Sequence, residues 1–405
     1  MYGGGYRNRT GLHGFAIRCV TSPPTRREGQ GEIADAGDGC KGFVRPVCRV
    51  DLAPCAADCP PHSGRDASVQ KILITGSAGF IGFHLARQLL AAGHRVHGYD
   101  GMTPYYDVTL KRQRHAILLQ MPGFSATEAM LEDVVTLTRV GEDFAPDVII
   151  HLAAQAGVRY SLENPRSYVE TNFTGSFNVL EMAKTLKVSH LLIASTSSVY
   201  GANPEMPFRE TDRTDHPLTV YAATKKAVEG LAHSYAHLWG LPVTLFRFFT
   251  VYGSWGRPDL AYFKFTKAIL QGAPIDVYNH GELWRDFTAV EDLVEGVSRL
   301  IPLAPPLPAS RGTRVAGDSL SPVAPWRIVN IGNSDKVHLM AFIGTLETLL
   351  GRKAICNFLP MQPGDVPATW ADCSLLERLT GFRPQTELAT GLARFVDWYR
   401  EQYQV

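Results

Sequence analysis

The chain has 405 residues, 45% hydrophobic and 20% charged, which excludes a wholly disordered protein and leaves room for one large α/β domain with a second lobe. Its 40 Lys and Arg against 39 Asp and Glu give a net charge of +1, so no basic excess argues for a nucleic-acid partner, and an anionic ligand must be held by a few placed groups. No uncharged apolar run approaches the roughly 18 residues of a membrane span, and no apolar secretory core stands at the N-terminus, so no membrane partner and a cytoplasmic location are expected.

Residues 1–69 are rich in Gly, Pro and Arg and show no helical or strand period. They are expected to be a disordered extension or to precede the true start, since no Met follows Met1 there and Val69 could mark a valine start codon. Five of the seven cysteines (Cys19, Cys40, Cys48, Cys55 and Cys59) crowd into this stretch. Without a paired C-x-x-C, the spacing of Cys55 and Cys59 is too weak a signal for zinc, and no metal is expected. Cys356 and Cys373 read as buried thiols.

From Lys71 the pattern alternates strand and helix. Apolar, β-rich runs at Ile72–Thr75, Arg95–Tyr99, Asp147–His151, His190–Ser195 and Val243–Phe248 are separated by amphipathic stretches such as Phe80–Ala92, Ser167–Leu186 and Ala222–Trp239. That alternation predicts a doubly wound parallel sheet with helices on both faces. Past Gly253 the alternation breaks down around a Pro-rich loop, Ile301–Pro325, as a smaller α/β substrate lobe would look. The expected division is 70–252 for a Rossmann-type dinucleotide domain and 253–405 mainly for the second lobe, with some chain returning to the first.

The first strand ends at Thr75 and runs into Gly76-Ser77-Ala78-Gly79-Phe80-Ile81-Gly82 and a helix. This is the geometry in which backbone N–H groups and a helix N-terminus meet a pyrophosphate, and side chains at the glycines would block the approach. A glycine triplet alone also fits a simple tight turn. Asp100 closes the second strand about 20 residues on, where a carboxylate bonds the adenosine ribose diol and repels a 2′-phosphate, so NAD is expected as cofactor.

Tyr221 and Lys225 stand at i and i+4 in a predicted helix and so share a face. Such a lysine can lower the phenol's pKa and orient a nicotinamide ribose, letting the tyrosinate take a hydroxyl proton. A chance Tyr-x-x-x-Lys is common. The hydroxyl cluster Ser195-Thr196-Ser197-Ser198 at the preceding strand's end changes the odds, because active sites of open parallel sheets lie at strand C-termini.

Together with His151-Leu152-Ala153-Ala154-Gln155 and Val199-Tyr200-Gly201, these motifs resemble the extended short-chain dehydrogenase/reductase family of nucleotide-sugar epimerases and dehydratases, over about residues 70–400. The segments Ala156–Ser161, Phe248–Gly253, Gly256–Asp259 and Met361–Pro367 resemble the UDP-glucuronate 4-epimerases in particular. The resemblance implies Thr196 as the hydroxyl bridging sugar O4 and tyrosine, Tyr221 as general base and Lys225 as cofactor-orienting lysine. It adds Leu131, Leu152, Ala153 and Ala154 to the NAD site, Ser197, Ser198 and Thr250 to the sugar carboxylate, Arg285 to the diphosphate and Asp365 to the uridine ribose. Arg159 and Arg257 fall near the substrate, and a homodimer through the helices containing Ser167–Leu186 and Tyr221 is implied.

Two positions depart from the family pattern. Met130 stands where many relatives carry an adenine-contacting Asp, with Asp133 three residues late, and Ser254 replaces a usual Pro, which would loosen that loop. The implied reaction is transient oxidation of a UDP-sugar at C4, with hydride passing to NAD and returning to the other face of the ring. Readings on the same fold are a UDP-glucose/UDP-galactose 4-epimerase or a UDP-uronate decarboxylase. Galactose-type enzymes usually carry Asn at Thr250, and dehydratases an Asp-Glu pair at Ser197-Ser198. A non-catalytic NAD-binding scaffold or sensor predicts a damaged Tyr/Lys/Thr set, which is intact here.

Overall fold

The computed structural model describes residues 69–405 apart from Arg311, Thr313, Arg314 and Pro363. The expectations for residues 1–68 and their cysteines lie outside the described residues. Eleven strands position the site: β1 (Lys71–Thr75), β2 (Arg95–Asp100), β3 (Phe124–Glu128), β4 (Val148–His151), β5 (His190–Thr196), β6 (Val243–Phe248), β7 (Thr250–Tyr252), β8 (Pro274–Val277), β9 (Trp284–Arg285), β10 (Phe287–Ala289) and β11 (Trp326–Ile331).

Seven of them form one sheet in the order β11-β6-β5-β4-β1-β2-β3, every pairing parallel. Parallel strands are buried on both faces, so alternate residues of one strand feed two cores. Ile72, Ile74 and Ile150 pack with Phe83, Leu89, Val294 and Val297 on one side. Leu73 and Ile149 pack with Val179, Leu180, Val228 and Ala232 on the other. A one-residue slip would exchange the two sets, so burial fixes the register.

Five elements of this layer were not read from the pattern. β3 has the sequence Phe-Ser-Ala-Thr-Glu with no fully buried residue, because it is the sheet's edge and needs no apolar run. The helices Val108–Leu119 and Val134–Phe144 are begun by Asp107 and Asp133, whose carboxylates accept from Thr109 N and Thr136 N. β11 comes from the far side of the Pro-rich loop, and the helix Val290–Leu300 also packs against the helix Phe80–Ala91.

The helix expected over Ser167–Leu186 is divided. Tyr168–Gly175 is π-helical and Ser176–Leu186 α-helical. The widened turn lets buried Asn172 face inward, where its Oδ1 accepts from Gln155 N (2.7 Å) and its Nδ2 donates to Gln155 O (3.0 Å). A structural irregularity thus pins the loop that follows β4.

The remaining chain builds a separate core from Tyr252, Tyr262, Phe263, Phe342 and Phe395, over which β7 pairs with β10 and β8 with the strand Ile355–Phe358. Cys373 is buried but Cys356, on that last strand, is only half-buried, correcting the expectation of two buried thiols. The Ser254 hydroxyl donates to Arg394 O (3.2 Å), and its carbonyl accepts from the half-buried His84 ring (2.8 Å), which burial keeps neutral.

Candidate active site

Between this smaller lobe and the C-terminal ends of β1, β4, β5 and β6 lies a cavity of about 820 Å³. The crevice falls between β1 and β4, where strand order reverses, the place open α/β sheets reserve for ligands.

At its inner end the chain turns at Gly76, with φ +77°, and Gly76 N donates to Tyr99 O (2.7 Å). A Cβ at Gly76 would come within 2.8 Å of Ala153 N, and one at Gly82 would overlap the Gly76 carbonyl, so both must lack a side chain. Gly79 ends its turn at the N-terminus of the helix Phe80–Ala91, whose first N–H groups have no side-chain cap. That is a cradle fitted to a pyrophosphate. Asp100 accepts from Ala78 N (3.0 Å) and Met102 N (2.9 Å), bracing the turn while lining the cavity.

A chain of hydrogen bonds fixes the β4 side. Ala153 N donates to Thr75 Oγ1 (3.2 Å), and Ser176 Oγ donates to Asn172 O. The ring of His151 between them must therefore accept at Nδ1 from Thr75 Oγ1 (2.7 Å) and donate from Nε2 to Ser176 Oγ (2.9 Å). Burial and then the Lys225 charge push this imidazole down to about 3, so it stays neutral. It holds Leu152, Ala153 and Ala154 along the cavity wall.

The catalytic candidates converge at the ends of β5 and the helix Val220–Trp239. Thr196 Oγ1 accepts from Ser198 N (3.2 Å), bending the chain into a short turn that presents Ser197 and Ser198 to the cavity. Thr219 caps the helix by accepting from Ala222 N, which sets Tyr221 in its first turn. Burial pushes the Tyr221 phenol up, and a hydrogen bond with Thr196 and the Arg257 charge pull against it. Lys225 is 3% exposed, and burial brings its ammonium down to about 8 against the opposing pull of Glu229.

Arg257 pairs with Asp259 through two bonds of 3.0 and 2.5 Å, and both line the cavity with Thr250. Arg159 reaches across the mouth to Asp365 (3.3 Å) with its guanidinium 4.5 Å from the Tyr278 ring centre. Arg285 lies beside Arg159 and Asp365 at the mouth, close enough for both charges to act on it, without itself lining the cavity. Its guanidinium donates to the carbonyls of Trp284 (2.9 Å) and Pro367 (3.4 Å) instead. Leu131 and Met130 line the wall, and the Leu131 carbonyl already accepts from Asn178 Nδ2 (2.9 Å).

Several lining residues were absent from the sequence reading. Lys111, buried on the helix after β2, donates to Thr103 O (2.8 Å) and adds a cation beside the glycine turn. Tyr105, Lys264, Asp276 and Tyr278 line the rest. The Tyr105-Tyr106 pair just before an Asp N-cap was the available signal. Arg114, fully buried, lies behind the wall, and its guanidinium bonds the carbonyls of Ala78 (3.0 Å), Trp255 (2.5 Å) and Gly256 (3.0 Å). It ties the cradle to the loop carrying Arg257.

Comparison with known proteins gives relatives along nearly all of the described chain. A protein named "Probable UDP-glucuronate 4-epimerase" from Rhizobium meliloti is 58% identical over 334 residues, 82% of this chain and 98% of that protein. UDP-glucuronate 4-epimerase 4 of Arabidopsis thaliana is 45% identical over 82% of this chain and 76% of its own length. Among solved structures, UDP-glucuronic acid 4-epimerase from Bacillus cereus, in complex with UDP-glucuronic acid and NAD, superposes with a TM-score of 0.71 at 31% identity, covering 82% of this chain and all of that one. The family model that matches residues 72–305 takes in the glycine cradle, the strand-end hydroxyls and the Tyr221–Lys225 helix, and with these relatives it shows that the chain belongs to the NAD dependent epimerase/dehydratase family.

Proposed function

We propose that this chain is an NAD-dependent 4-epimerase that converts UDP-glucuronate to UDP-galacturonate. The observation that carries the reading is the convergence of Thr196, Tyr221 and Lys225 with the hydroxyls Ser197, Ser198 and Thr250 in one cavity beside the glycine cradle. Relatives at 58% and 45% identity bear the name of this activity.

Gly76, Gly79, Phe80, Ile81 and Gly82 hold the cofactor's pyrophosphate, Asp100 its adenosine ribose, and Leu131 with Leu152, Ala153 and Ala154 flank it. NAD held by these residues would supply a reversible hydride acceptor beside the sugar's C4. Tyr221 removes the O4 proton through Thr196 and later returns it, while the Lys225 charge lowers the cost of the phenolate. Asp365 and Arg159 hold the uridine end, Arg257 lies beside the sugar, and Arg285 reaches the diphosphate once it leaves its two carbonyls.

The 4-keto uronate formed on the way is a β-keto acid. If its C5–carboxylate bond lines up with the carbonyl π system, that bond breaks, carbon dioxide leaves, and the electron pair passes to the enolate, which is protonated at C5. An epimerase must hold the carboxylate out of that alignment, and we assign the task to Ser197, Ser198 and Thr250. Replacing Thr250 or Ser198 by Ala is expected to divert part of the turnover to UDP-4-keto-pentose, detected by chromatography of the nucleotide products. Clean epimerisation by both variants would contradict the assignment.

The working unit proposed is a homodimer. Phe173, Phe177, Leu238 and Trp239 are exposed on the segment Tyr168–Leu186 and the helix Val220–Trp239, apolar surface that a second copy would cover. Light scattering at working concentration should give twice the chain mass, and a monomer would overturn this. We place the enzyme in the cytoplasm, serving polysaccharide biosynthesis. Its described cysteines are unpaired, as in a reducing compartment, and among the described residues no helix is long and apolar enough to cross a membrane.

A further inference from the structure

The face of the helix Val220–Trp239 that carries Tyr221 and Lys225 carries a third group one turn on, Glu229, at the same four-residue spacing. It is 1% exposed. Its Oε1 accepts from Ser195 Oγ (2.7 Å) and Arg247 Nε (3.0 Å), and its Oε2 accepts from a terminal nitrogen of Arg247 (2.9 Å) and from Lys226 Nζ (3.4 Å). Arg247 is itself 1% exposed and lies on β6 directly opposite Ser195 of β5. Its guanidinium sits 4.7 Å from the Tyr200 ring centre, and Tyr200 donates to Asn330 Oδ1 (2.7 Å) on β11. A carboxylate from the catalytic helix is thus locked between strand ends one residue before the catalytic hydroxyl.

A buried ion pair seldom stabilises a fold more than well-packed apolar residues would, and its best-attested use is to fix one arrangement among several. The arrangement at stake here is the approach of Thr196 to Tyr221, which come from different elements. We propose that Glu229 is a positioning residue of the hydride-transfer site: clamped by Arg247, it holds Ser195 and so fixes the end of β5, and with it Thr196, against Tyr221. Burial would push the Glu229 carboxyl up, but the Arg247 guanidinium outweighs it and keeps the group ionised, so the clamp is charged across the working range. Its negative charge also opposes the loss of the Lys225 proton. This inference rests on the epimerase reading, because it assigns a purpose to the Thr196–Tyr221 geometry.

The decisive variant is Ser195→Ala, which cuts the link to the strand while leaving Glu229 its cationic partners and the fold its ion pair. Misplacement of reacting groups by under an ångström costs rate and not binding, so kcat should fall about tenfold while KM for the UDP-sugar, NAD content and melting temperature stay at wild-type values. The double variant Glu229→Gln/Arg247→Met removes both charges together, so that neither is left buried without its partner, and a larger fall in kcat with NAD still bound is expected. Wild-type kcat in Ser195→Ala, or a fall matched by lost NAD and a lowered melting temperature, would overturn the clamp alone. A wild-type chain that converts no UDP-sugar would overturn the epimerase reading and this inference together.

Discussion

Tyr221→Phe should lose about 10³-fold in kcat while keeping its NAD, since a well-placed general base contributes roughly 10²–10⁴-fold. The phenyl ring would keep the edge-to-face contact of Tyr221 with Tyr168, at a centroid distance of 6.0 Å, so the fold has no reason to change. Only the proton acceptor for O4 disappears, and Thr196 cannot replace it, because a hydroxyl needs a base of its own. Turnover of UDP-glucuronate by the purified variant, with bound NAD counted after denaturation, is the check. Activity within about threefold of wild type would remove Tyr221 from the role of base, since that loss lies far below the contribution of a general base.

Lys225→Met should separate stability from function. Burial brings the Lys225 ammonium down from 10.5 to about 8 in the folded chain. Below pH 8 both folded and unfolded chains hold the proton, and the whole cost of burying the cation, on the order of 3 kcal/mol, weighs against the fold. Between about pH 8 and 10.5 the unfolded chain keeps a proton that the folded one has released, so stability rises with pH across that window. Methionine fills similar volume without charge. The variant stripped of cofactor should therefore resist denaturant better than wild type at pH 7, by up to about 3 kcal/mol, and lose the rise above pH 8. Its kcat should fall by about 10² or more, because the phenolate of Tyr221 and the nicotinamide ribose lose their cation. A Lys225→Met protein less stable than wild type at pH 7 would show that the buried ammonium is compensated by partners and costs nothing.

What could be read from the sequence was what short-range geometry controls. Gly76, Gly79 and Gly82 announce themselves because a turn and a close approach demand them locally, and Tyr221 and Lys225 because helix spacing alone puts them on one face. β1, β4, β5 and β6 stood out because a strand buried on both sides is a largely apolar run, and β2, Arg-Val-His-Gly-Tyr-Asp, through its place in the alternation of strand and helix. β3 did not, since an edge strand is half polar. The partners of Glu229 were beyond reach for another reason: Arg247 meets it only through the register of β6 on β5, and register is a property of the assembled sheet. Asn172 is similar, because nothing in Tyr168–Gly175 signals that the helix widens there. Arg285 was matched to a motif, and the motif does not encode that its guanidinium bonds the carbonyls of Trp284 and Pro367 while lying within reach of the Asp365 and Arg159 charges. Met130 left the adenine end of the site open, and the structure adds that it lines the cavity, that its carbonyl accepts from the Tyr99 hydroxyl (3.0 Å) and that the Leu131 carbonyl is engaged by Asn178.

If one cavity lends a hydride to NAD and recovers it on a uronate, the purified chain must show it when incubated separately with UDP-glucuronate, UDP-glucose and UDP-galactose and the products resolved. UDP-galacturonate is expected from UDP-glucuronate, with no net consumption of NAD and no loss of carbon dioxide. Conversion of the neutral sugars alone, or a pentose as the main product, would contradict the uronate epimerase.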